Sequence, residues 1–203
     1  MKHDHMARRN GVALLALALA VVPIDARAAS PDPDWPCQSI KVGSLSLASV
    51  WDGPAADAFL AHWSDYADVA SLVQHVVPRR VPLQEAQAAI RGFAAGLGER
   101  RNERLLMLVA GLFDTLNQER SIVLAGLDRF GRRQRQLADS IHADMARLRR
   151  QPQDASTQLQ DQLGWEVRLF EQRRQSAATA CNVPTVIEQR LFALVRTVRE
   201  AMP

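Results

Sequence analysis

Lysine is almost missing from this chain: among 203 residues only Lys2 and Lys41 carry an ammonium. With Lys41 the single lysine beyond residue 28, a Ser-x-x-Lys nucleophile pair is excluded there. Cysteine is equally sparse. Cys37 and Cys181 lie too far apart for a Cys-x-x-Cys redox or zinc pair, and neither begins a Cys-x-x-Cys-His haem attachment. Of five histidines, His62, His75 and His142 fall outside the first 28 residues, scattered beyond the reach of a His-x-x-x-His or His-Glu-x-x-His motif. No Gly-x-Ser-x-Gly elbow occurs, and Gly96-Leu97-Gly98 lacks the Lys-Ser/Thr of a phosphate loop. No catalytic residue, cofactor or metal site is therefore expected.

Long apolar runs are also few. The longest, Gly11 to Ile24, is too short to span a bilayer comfortably. It follows Lys2, Arg8 and Arg9 and precedes Ala26-Arg27-Ala28, so residues 1–28 read as a signal peptide with a small-x-small cleavage pattern. An uncleaved anchor is the alternative. Asp34-Trp35-Pro36 before Cys37 is no lipobox, and Asn10-Gly11-Val12 fits a twin-arginine signal poorly. The expectation is a periplasmic or secreted protein with no transmembrane helix in its mature chain. Removing four cations and two anions with residues 1–28 lowers the formal net charge from +3 to about +1. With one tyrosine and six phenylalanines beside four tryptophans, that near-neutral balance argues against a nucleic-acid partner.

What is present is helical periodicity. Residues 29–53 read as an extended N-terminal tether: Ile40 to Trp51 alternates loosely, with a small hairpin possible about Gly43 but no convincing strand later to pair with it. Residues 54–98 read as three short helices. The first starts at Asp52-Gly53-Pro54 and runs to about Trp63; the second is capped by Ser64 and ended by Pro78; the third begins at Pro82 and stops at Gly96 and Gly98. Residues 99–203 read as a long helical hairpin forming one domain with residues 29–98. From Arg101 to Arg150 there is no proline, and Leu105, Val109, Leu112, Leu116, Val123 and Leu127 begin a stripe that continues to Leu148. Gly126 and Gly131 are places where that helix could bend. A turn at Gln151–Asp154 precedes a second long helix whose seam alternates steps of four and three from Leu163 to Met202, with Pro184 as its expected bend. The predicted fold class is all-α: a long antiparallel, coiled-coil-like hairpin with three short helices and an extended N-terminal segment.

Cys181 falls on that seam within Ser176-Ala177-Ala178-Thr179-Ala180, where small side chains leave the helix shallow. In an oxidising compartment the economical reading is a Cys37–Cys181 disulfide that docks Asp34-Trp35-Pro36-Cys37 there, with Trp35 over the joint. A redox pair or an intermolecular bond is the rival. Arginines recur at Arg129, Arg132, Arg133 and Arg135, at Arg147, Arg149 and Arg150 near the hairpin tip, and at Arg168, Arg173 and Arg174 on the return. They form either a solvated face, given the interleaved acids, or a strip for an anionic surface or partner. Arg174 is set apart by lying on the seam, where it should pair with a buried acid or mark an opening to a partner. Arg147, Arg149, Arg150 and Arg174 are thus the candidate partner-binding residues.

Asp34-Trp35-Pro36-Cys37 near the start and Glu188-Gln189-Arg190-Leu191-Phe192-Ala193-Leu194 near the end give a layout that resembles small exported helical proteins of proteobacteria. The resemblance spans most of the chain beyond residue 28 and implies layout, with no activity attached. The functional expectation is a non-catalytic interaction or scaffold protein of the cell envelope that binds a protein partner or itself, as an assembly subunit or a chaperone. The alternative is an exported all-helical enzyme of chorismate-mutase-like layout, in which arginines would have to replace the usual lysine.

Overall fold

The stripe from Leu105 to Leu148 folds as one uninterrupted helix on which most of the other elements are arranged. A computed structural model describes residues 32–150 and 157–203, which belong to one unit, Asp32–Pro203. Its helices are α1 (Ala67–Val76), α2 (Leu83–Ala95), α3 (Arg101–Arg150), α4 (Thr157–Cys181) and α5 (Val183–Ala201). Among the described residues there is no β-strand, and the fold is all-α. The predicted turn at Gln151–Asp154 and the signal peptide lie outside the described residues.

The core sits at one end of α3. Val69, Val73 and Val76 of α1, Ala86, Ile90 and Ala94 of α2, and Ile187, Leu191, Leu194 and Val198 of α5 are buried around Leu105, Leu108, Leu112 and Leu116. Each set recurs every three or four residues, so each helix turns one apolar stripe inward. Gly111 is needed for the close approach. A side-chain carbon there would lie 2.7 Å from the Trp63 ring and 2.9 Å from Val73. The Trp63 indole N–H donates to Asp114 Oδ2 at 3.1 Å, fixing the ring on α3.

Three expected features are corrected. The first short helix does not form; residues Asp57–Phe59 and Trp63–Asp65 make separate 3-10 turns. The Pro54 carbonyl, which a helix starting here would use within its first turn, instead accepts the buried Trp51 indole N–H at 2.7 Å. Ser64 does not cap α1, which begins beyond Tyr66 with no side-chain cap. Nor is there a hairpin about Gly43, since residues 40–46 run without regular structure. α2 ends as expected, at Gly96, and Gly98 adopts φ +55°, a left-handed conformation that glycine takes without Cβ strain.

The return of the hairpin is two helices, because the chain turns at Asn182 and restarts with Pro184 in the first turn of α5. Proline has no N–H to bond back into the preceding turn, so it sits well only at a helix start. α5 then presents a buried arginine. Arg190 donates through Nη2 to the carbonyls of Val76 at 2.6 Å and Val81 at 3.1 Å, closing the C-terminal end of α1 and the link to α2. Burial pulls its guanidinium below the usual arginine range while Glu119 opposes the shift, and a guanidinium remains charged in either case. Its positive charge lies at the negative end of the α1 dipole.

Arg190→Leu is expected to strand both carbonyls. At about 1–3 kcal/mol for each buried unpaired group, the urea midpoint should fall clearly with little change in the unfolding slope.

Candidate functional site

Beyond Leu116 the main core ends, and α3 continues past the start of α5 with α4 and an N-terminal strap against it. The strap, residues 32–50, crosses α3 where Gly131 removes the side chain. A carbon added at Gly131 would collide with the Asp34 carbonyl. Gly131 therefore serves close backbone approach, a different role from the bending expected of it. Asp34 pairs with Arg132 and Arg135, in the turn of α3 that follows this crossing. Lys41 Nζ then donates to Asp32 Oδ2 and Asp128 Oδ1 at 2.8 Å each, tying the strap to itself and to α3. The hydrogen bonds to Asp128 and Asp32 raise its pKa above the ordinary lysine value. Farther along, the buried Arg120 joins three elements of the unit: it donates to the Val42 carbonyl and to Glu188 Oε1, both at 2.5 Å. Leu47, Val50 and Trp51 finally enter the core.

The Cys37–Cys181 disulfide fastens the other end of the strap to the α4–α5 joint, with Cα atoms 5.6 Å apart. Closing a loop of this length contributes up to about 5 kcal/mol on the chain-entropy model. The Trp35 indole N–H donates to the Ser39 carbonyl at 2.7 Å, and Lys41 sits 5.6 Å from its ring. The disulfide lines an open groove of about 570 Å³ together with Phe130, Gln134, Phe170 and Arg174.

The outer part of α3 and α4 form an antiparallel arm. Two helices alone cannot enclose a wide apolar interior, and the arm shows it. Leu124, Leu127, Ile141 and Ala177 are buried, but so are the carboxylates Asp144 and Glu166. Gln162 donates to Asp144 Oδ2 at 3.4 Å and to Glu166 Oε1 at 3.2 Å, bridging them. Gln134 donates across the pair to the Phe170 carbonyl at 3.2 Å. On the outside, Trp165 is 57% exposed and Val167 40%, large apolar groups with no cover among the described residues.

The four candidate arginines are exposed and are not brought together. Arg147, Arg149 and Arg150 occupy the last turn of α3, where cations favour the helix dipole. Arg174 lines the groove beside Gln134, about 24 Å of helix rise away from Arg150. Arg174 does not pair with a buried acid: it pairs with Glu171 on its own helix, at 2.6 Å and in the open. The seam's other charge, Glu188, is the one that meets a buried partner, Arg120. Arg120 and Arg190 escaped the sequence reading because arginine is rarely buried; their spacing on the apolar faces, Arg120 one turn after Leu116 and Arg190 beside Leu191, was the available signal.

Among the described residues no three His, Cys, Asp or Glu side chains are placed to hold a metal ion, and no helix is long and apolar enough to cross a membrane. Lys41, the one lysine beyond residue 28, is engaged in the strap. The chain matches no protein-family model, no curated protein and no solved structure with which it was compared.

Gly131→Ala should lift the strap from α3 at a cost of about 1–3 kcal/mol. Amide exchange from Trp35 to Val42 should then accelerate about tenfold or more, while α5 keeps its protection. The pH dependence of the Lys41 tie follows from its raised pKa. Its contribution is fully present below the ordinary lysine value of 10.5 and is lost as pH rises through the higher folded value. The difference in denaturation midpoint between the wild-type chain and Lys41→Met should accordingly stay constant through neutral pH and shrink only in strong alkali.

Proposed function

We propose that the protein is an exported, non-catalytic interaction or scaffold protein of the cell envelope, periplasmic or secreted, working as an assembly subunit or in a chaperone-like manner. The observation that carries this reading is the arm. α3 rises about 75 Å over its 50 residues, while the core uses only its first four or so turns. Past the strap crossing at Gly131 its outer part is paired with α4, and α4 exposes Trp165 and Val167. Exposed tryptophan on a rigid element is characteristic of binding surfaces, since it brings large area at low entropy cost. The disulfide supports export, because such bonds persist in oxidising compartments. Arg147, Arg149 and Arg150 would give the tip an affinity for anionic surfaces or acidic partners.

Cross-linking the disulfide-intact protein in its native envelope, followed by mass spectrometry, tests the reading. One partner, or a second copy, at fixed stoichiometry supports an assembly role. Many unfolded clients support the chaperone form. A strict monomer with nothing attached overturns both. Trp165→Ser should abolish or weaken the cross-linked complex while changing stability by no more than about 0.5 kcal/mol, as expected for an exposed position.

A further inference from the structure

The strap covers one flank of the α3–α4 pair; the other flank has a groove with no cover among the described residues. Phe130 and Ala177 line both grooves and form the wall between them. The second groove holds about 380 Å³, floored by Gly126, Ala177 and Ala180 and walled by Leu127, Phe130 and Val183. Ser176 brings the only side-chain hydroxyl to it, and that hydroxyl already donates to the Gln172 carbonyl at 3.1 Å. The groove thus offers chiefly apolar contact, with the Ser176 hydroxyl left only as an acceptor. Ile122, 63% exposed, stands one turn before Gly126, and Val186, 37% exposed, one turn after Val183.

The charges around the two flanks differ. On the strap side Asp34 neutralises Arg132 and Arg135, and Lys41 is held by Asp32 and Asp128. On the open side Arg129 lies over Gly126, its Nη2 3.9 Å from where a side-chain carbon would stand. Arg133 folds back to donate to the Arg129 carbonyl at 3.3 Å. Among the described residues neither Arg129 nor Arg133 has a carboxylate partner. The covered flank thus shows how this arm is satisfied, by an acidic segment that brings carboxylates to arginines and apolar groups to a small-residue floor.

We infer that the open groove docks an acidic, amphipathic segment of another protein, its large apolar side chains over Gly126 and Ala180 and its carboxylates on Arg129 and Arg133. This rests on the interaction reading above and names its surface and partner chemistry.

The test measures fluorescence anisotropy of a labelled Leu–Glu amphipathic helix, and of its Leu–Lys counterpart, against the disulfide-intact chain. The Leu–Glu peptide should bind saturably and weaken as salt is raised; the Leu–Lys peptide should not bind. Gly126→Leu, whose added carbon meets only the mobile end of Arg129, should weaken binding about tenfold or more. Ala180→Leu closes the groove from the facing helix and should do the same. Arg129→Glu with Arg133→Glu should abolish binding without lowering the thermal midpoint. Equal binding of both peptides, or binding indifferent to Gly126→Leu and Ala180→Leu, overturns the inference. A dimer by light scattering that Gly126→Leu dissolves also overturns it, since the occupant is then a second copy. If the envelope complex survives Gly126→Leu, the groove assignment fails while the interaction reading stands; if the wild-type chain yields no complex, that reading fails as well.

Discussion

A helix that rises about 75 Å cannot be covered along its length by partners that rise about 15, 20 and 28 Å, which is the reach of α1, α2 and α5. This mismatch shapes the rest of the molecule. Where α3 meets α1 and α5, with α2 packed across those two, at Leu105 through Leu116, the interior is apolar and closed. Where it meets only α4, the interior admits Asp144, Glu166, Gln134 and Gln162, and the exterior carries Trp165. The same helix is core at one end and arm at the other, with no change in its own backbone.

Between these regions the strap acts as a splint. It occupies the stretch of α3 just past the core, where a two-helix pair is least supported by neighbours. Its attachment uses three kinds of interaction at separate points: the covalent Cys37–Cys181 bond, the Lys41 and Asp34 ion pairs, and the backbone approach at Gly131. Partly exposed ion pairs of this kind are individually weak. Held by a disulfide at one end and by Leu47 and Trp51 in the core at the other, they are formed at high effective concentration.

Two arginines bind the parts of the core together. Arg120 joins strap, α3 and α5; Arg190 joins α5 to the end of α1 and the start of α2. Each places a fixed charge among backbone carbonyls that apolar side chains could not satisfy. Losing either would leave acceptors unpaired in a region from which water is excluded.

The amino-acid sequence alone determined the all-α class, the bounds of α3 and α2, and the pairing of Cys37 with Cys181. These depend on local periodicity, on proline and glycine punctuation, and on the count of cysteines, all of which are written along the chain. It also placed the shallow patch from Ser176 to Ala180, because small side chains are small in any fold. The failure of the helix at Pro54 was not legible there, since the competing donor is the Trp51 indole and its direction is set by the core. Nor was the outward turn of Arg174, the burial of Arg120, or the use of Gly131 for the strap. Those depend on which face of a helix meets which neighbour. A few tens of degrees of helix rotation separate a buried seam from an exposed flank, and only the packed tertiary structure chooses between them.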